Sequence, residues 1–120
     1  MKRRIYILAI LITILLIGCE GKKPDNLSTG TYNACKKIIE CTDEYIRMDI
    51  TYKEFSERYD EAKSRMEDNT VEDTVARSQA TSLMVMVSTN NLSSKTSIDD
   101  IIEKRNEFAE YLGLSKYKQQ

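Results

Sequence analysis

Histidine and tryptophan are absent from this 120-residue chain, proline occurs once and glycine only four times. Without an imidazole, the histidine-based triads and dyads and the usual histidine-containing zinc sites are excluded. Gly21, Gly30 and Gly113 stand alone, so no glycine-rich loop is available to cradle a phosphate. Cys35 and Cys41 lack the spacing of a zinc knuckle or a CxxC redox pair. Period-two alternation of apolar and polar residues is nearly missing, which argues against a sheet. A surplus of positive charge is missing too. Beyond residue 18 the chain carries 15 basic and 19 acidic side chains, a formal charge of −4. Nucleic-acid binding, which needs a basic patch against phosphate, is therefore not expected. The same balance offers no polybasic support for membrane attachment.

What the chain has in abundance lies at its start. Lys2, Arg3 and Arg4 precede an almost unbroken apolar run over residues 5–17, and Leu16-Ile17-Gly18-Cys19 closes it. A basic segment, a short apolar stretch and a small-residue cleavage site form the pattern of an exported precursor. A membrane-spanning helix needs about 20 apolar residues. Here a run of 13 meets Glu20, Lys22 and Lys23 almost at once. The segment resembles the lipobox signal of bacterial lipoproteins, with Leu16, Ile17, Gly18 and Cys19 at its hydrophobic, tolerant, small and cysteine positions in turn. That resemblance implies cleavage before Cys19, diacylglycerol on the Cys19 thiol and a further acyl group on its amine. It places the mature chain at a bacterial cell envelope, lipid-anchored on the extracytoplasmic side of a membrane. Each buried methylene contributes about 0.8 kcal/mol, and two or more acyl chains give stable anchoring. No cofactor besides this covalent lipid is expected.

Four parts follow: a cleaved leader at 1–18, a lipidated terminus and flexible tether at 19–30, a bundle at 31–114 and a frayed tail at 115–120. The tether is polar, with Gly21, Pro24, Gly30 and one apolar residue, Leu27. As a random coil it would span on the order of 20 Å. Helical periodicity dominates the rest. Ala34, Ile38, Cys41, Tyr45 and Met48 form one seam of a first helix, broadened by Cys35, Ile39 and Ile46. Thr51 and Glu54 form a capping box for a second, with Ile50 and Phe55 at the staple positions. Its stripe runs through Tyr52, Phe55, Tyr59, Ala62 and Met66. Asn69 or Thr70 caps a third helix, with Glu72 and Asp73 against its positive end and Val75, Ala76, Ala80, Leu83 and Val87 inside. The run Leu83-Met84-Val85-Met86-Val87 reads as its most enclosed part. After a polar loop at 88–96, Thr96 or Ser97 caps a fourth helix with Ile98, Ile101, Ile102, Phe108, Tyr111 and Leu112 inside, terminated by Gly113. The fold class expected is all-α: a small antiparallel bundle of three to four helices.

Little in this bundle carries chemistry. Asp43/Glu44 and Asp60/Glu61 read as solvated helix faces rather than acid–base pairs. Glu67, Asp68, Glu72 and Asp73 are the best cation candidate, but the EF-hand pattern is missing and a capped turn explains them. If Cys35 and Cys41 share one helix they rise about 9 Å apart, beyond the ~7 Å limit of a disulfide. Buried free thiols are then the simpler reading, with an intermolecular bridge through Cys35 as the other. Tyr32 and Tyr117 lie outside the seams and are the interface candidates. The function expected is that of a non-enzymatic, membrane-anchored surface lipoprotein that binds an unknown protein partner. Exclusion or immunity against phage, conjugation or a membrane-active peptide is one variant. A second alternative makes the leader the message: residues 10–18 resemble hydrophobic peptide pheromones released from lipoprotein signals.

Overall fold

A computed structural model describes residues 23–118, which form four helices: α1 (Thr29–Ile46), α2 (Tyr52–Ser64), α3 (Val71–Thr89) and α4 (Lys95–Leu112). The apolar leader and the first four residues of the expected tether, 19–22, lie outside these residues. No strand occurs among the described residues. α1 and α2 run antiparallel, because Tyr45 stacks on Phe55 with ring centroids 5.4 Å apart while Thr31, near the other end of α1, bonds the Glu67 main chain beyond the end of α2. α3 and α4 form a second hairpin, which the Tyr111 hydroxyl closes by donating to the Glu72 carbonyl at 3.1 Å. α1 also packs on both α3 and α4, so it is the element that joins the two hairpins. This is the small antiparallel helical bundle that the periodicity implies.

The caps explain where the helices start. Thr51 and Glu54 bond reciprocally at 3.2 Å, satisfying two otherwise orphaned N–H groups at the start of α2. Thr70 accepts from the Asp73 N–H at the start of α3. α4 departs from expectation: its cap is Ser94, not Thr96 or Ser97, so the helix begins at Lys95. The reason is local. Asn91 folds its side chain onto the Ser93 N–H at 3.1 Å, which turns the chain early and leaves Ser94 as the first hydroxyl at the helix mouth. The expected loop at 88–96 shrinks accordingly, since α3 runs on to Thr89.

α1 begins earlier than the seam suggests. Residues 24–27 make a turn in which the Leu27 N–H reaches the Pro24 carbonyl at 3.2 Å and Asn26 adopts a left-handed φ of 66°. That turn drives Leu27 into the core. The stretch read as tether therefore stops at Asn26, and Thr29 and Gly30 are helical. Gly30 fits closely there: a Cβ would stand 3.0 Å from the Glu67 Oε2, a contact that a small turn of that exposed side chain would relieve.

Two helices end alike but with different residues. In α4 the N–H of Gly113 reaches the Glu110 carbonyl and that of Leu114 the Ala109 carbonyl, with Gly113 left-handed at φ 73°. In α1 the N–H of Met48 reaches the Tyr45 carbonyl and that of Asp49 the Glu44 carbonyl, with Met48 left-handed at φ 63°. Glycine suits this position because it has no Cβ; another residue pays about 1–2 kcal/mol.

Phe55, Phe108, Ile38, Leu83, Ile101 and Leu112 are fully enclosed and form the core with Leu27. Several stripe residues lie elsewhere than expected. Met48 is past the end of α1, and Tyr52 starts α2 with only one side of its ring against Tyr45, so they are 66% and 43% exposed. The apolar run of α3 is not enclosed all round. Leu83 and Val87 are buried, while Val85 on the opposite face is exposed, as is Val75. Truncating Phe55 to alanine is expected to cost about 3–5 kcal/mol. Tyr52→Ala should cost under about 1.5 kcal/mol, the worth of an aromatic pair. Urea denaturation of the two variants measures both.

Candidate functional site

The residues expected to be processed, Leu16, Ile17, Gly18 and Cys19, lie outside the described residues. Within them, polar side chains converge at two places, both centred on α1.

The first is a buried carboxylate. Asp73, in the first turn of α3, is wholly enclosed. Its Oδ1 accepts the Ser28 N–H at 2.9 Å; its Oδ2 accepts the Ser28 hydroxyl at 2.6 Å and the Asn69 N–H at 3.0 Å. Ser28 occupies the N-cap position of α1, yet its side chain does not cap its own helix. It is used to bind the neighbouring one. Burial by itself would raise the Asp73 pKa, but the bonds from Ser28, Asn69 and Thr70 outweigh it and hold the carboxyl at about 2. The acidic stretch considered for a cation is thus a turn whose central carboxylate is already filled by N–H and O–H donors. Asp68 accepts from the Thr74 hydroxyl.

The second is a guanidinium. Arg105 on α4 is 4% exposed and grips Asp43 of α1 with two parallel bonds, Nε–Oδ1 at 2.7 Å and Nη2–Oδ2 at 2.8 Å. Its Nη1 donates to the Ser115 carbonyl at 2.7 Å and to the Asn106 side chain. Asn106 in turn accepts the Tyr117 N–H at 2.8 Å, and the Tyr117 ring lies 5.9 Å from the guanidinium. Two expectations are corrected here. Asp43 is not on a solvated face, because α4 covers it. The segment after Gly113 is not frayed from its first residue, because Ser115 and Tyr117 dock on Arg105 and Asn106.

Tyr117 is therefore half-buried, and Tyr32 also packs partly against the core with the Lys36 ammonium 5.2 Å above its ring. The two are not brought together. Neither is the freely exposed ring that its place outside the seams suggested. Among the described residues one buried side-chain polar atom has no partner, the Tyr59 hydroxyl, and burial raises its pKa.

A shallow groove of about 290 Å³ runs between α1 and α2, floored by Cys41 and Ala62. Ion pairs Arg58–Glu44 and Arg65–Glu61 line its walls together with Lys37 and Glu40. The groove offers both signs of charge and a thiol that is poorly suited to attack. Burial, the largest influence, pushes Cys41 up to about 12; burial and then the Asp73 charge do the same to Cys35. Both thiols are free, buried and on the one continuous helix α1, as the simpler reading held. Comparison with protein-family models, with curated proteins and with solved structures finds no match.

Sequence reasoning missed the reach of Asp73 and Arg105. Arg105 had a signal: it falls four residues after Ile101 and three before Phe108, on the inner stripe of α4. Asp73 had none beyond its N-terminal position, since its partner is 45 residues away.

Asp73→Asn leaves donor N–H groups facing an amide NH₂ and is expected to destabilise the domain by about 3 kcal/mol in chemical denaturation at neutral pH. Because the Asp73 pKa is lowered from 3.8 to about 2 on folding, its contribution is complete above about pH 4 and fades as pH falls towards 2. The wild-type stability profile should fall over that interval, and the Asn variant's should be flatter. In a chain carrying Cys19→Ser, Cys35 and Cys41 should resist a thiol reagent at pH 8 for hours. Both should react within minutes in denaturant.

Proposed function

We propose that this chain is a lipid-anchored, non-enzymatic helical module of a bacterial envelope, held by acyl chains on Cys19 and binding another protein. The observation that carries this reading is the order of Lys2-Arg3-Arg4, the apolar run and Leu16-Ile17-Gly18-Cys19. Three further facts support it. No helix among the described residues is long and apolar enough to cross a membrane. The buried polar groups Asp73 and Arg105 have their bonding capacity filled from within the chain. The two enclosed thiols are held protonated.

Cells fed a labelled fatty acid should incorporate it into the wild-type chain, and its leader should be removed. Cys19→Ser should accumulate as an unlabelled precursor. A wild-type chain that keeps its leader and takes no label would overturn the anchoring. In-cell crosslinking of the lipidated chain should recover a protein partner; recovery of none across several growth conditions would overturn the binding role.

A further inference from the structure

The outward face of α3 differs from the rest of the molecule in charge. Charged residues make up 31% of the chain, yet residues 78–94 include none. Val71, Val75, Ser78, Ser82, Val85 and Thr89 recur at alternating steps of four and three, so they line one stripe about 27 Å long. It lies opposite the buried residues Ala76, Ala80, Leu83 and Val87, and all six of its members are exposed. Val71, Val75 and Val85 are three of the five large apolar side chains left in solvent among the described residues, at 75%, 37% and 54%. The nearest charges on α3, Glu72 and Arg77, stand about 100° and 120° round the helix from the centre of the stripe.

The stripe also matches itself end to end about position 80. Val71 is mirrored by Thr89, Val75 by Val85 and Ser78 by Ser82. A two-fold contact between identical chains needs this reciprocity, because residue i meets j wherever j meets i. We propose that α3 packs antiparallel on α3 of a second copy of this chain, making a two-fold dimer. Val75 then meets Val85 of the other copy, while Ser78 and Ser82 meet at the axis, where their small side chains let the helices approach closely. The positive end of each α3 lies beside the negative end of the other. Lipid is a poorer occupant. A helix lying on a membrane carries basic residues beside long or aromatic apolar ones, and this stripe has neither.

A single seam of this length buries less than the roughly 1,200 Å² of a stable complex in solution. The dimer therefore rests on the anchoring part of the reading above, since copies held in one membrane meet at a raised effective concentration. A two-fold axis normal to that membrane keeps the Leu27 ends of both copies at one height.

The pairing is tested with full-length chains in cells fed a labelled fatty acid. Two differently tagged copies, one Val75→Cys and the other Val85→Cys, are expressed together or singly and oxidised with copper phenanthroline. Cys35 and Cys41 are enclosed, so chains without an added cysteine are the blank. Support is a disulfide-linked dimer from the mixed pair and none from either variant alone, because like positions lie about 15 Å apart along the axis. Ser82→Glu in both copies should lower its yield at least tenfold with the melting temperature unchanged, and Ser82→Ala should keep it. Equal linkage from Val75→Cys alone, or full yield with Ser82→Glu, overturns the two-fold contact. So does linkage to a different protein. Labelled chains that give no dimer overturn the dimer and leave the anchoring standing; chains with neither label nor dimer overturn both.

Discussion

A carboxylate with no access to water holds the order of this bundle. Asp73 is charged, enclosed and satisfied by donors that come from two separate parts of the chain. An enclosed charge that loses its partners costs several kcal/mol, so Ser28 cannot leave without disturbing α3. By holding Ser28, Asp73 fixes where α1 begins and keeps Leu27 inside. The apolar contacts of α1 then follow in a set register. Asp73 also orders its own helix, because its N–H goes to Thr70 while its side chain collects the Asn69 N–H.

Near the other end of the same helix, Asp43 meets Arg105. Apolar side chains of similar volume exchange places at modest cost, whereas a two-bonded carboxylate–guanidinium pair has one good geometry. α1 is thus located at one end by a buried acid on α3 and at the other by a buried base on α4. Between these two points Ile38, Ile39 and Cys41 supply burial rather than position. The same guanidinium holds the main chain at Ser115, so the segment after α4 belongs to the fold instead of trailing from it.

Short-range chemistry was legible in the sequence. The Thr51–Glu54 box, the glycine ending α4 and the helical period of each segment all depend on residues within four positions of one another, and each occurs as read. Long-range ties were not. Leu27 looked like an incidental apolar residue in a polar linker, and only the Pro24–Leu27 turn and the cleft beside α3 give it a place. Asp73 read as a dipole partner because nothing local announces a bond to Ser28. Tyr52 shows the converse error. Its spacing puts it on the stripe of α2, but α1 ends at Ile46, so the Tyr45 ring covers one side of it and the rest stays in solvent. For the candidate site the division is similar: the processing motif is a local pattern, while the Asp73 and Arg105 clusters depend on bonds that span 45 and 62 residues.

The turn at Pro24 and the bonds at Ser28 also decide how the domain would bear a load. Traction on the residues ahead of Leu27 arrives first at a buried leucine and at the two hydrogen bonds from Ser28 to Asp73 of α3, not at the first turn of α1. The strain is divided between two helices from different hairpins. Peeling α1 away from its end would require rupture of that joint beforehand.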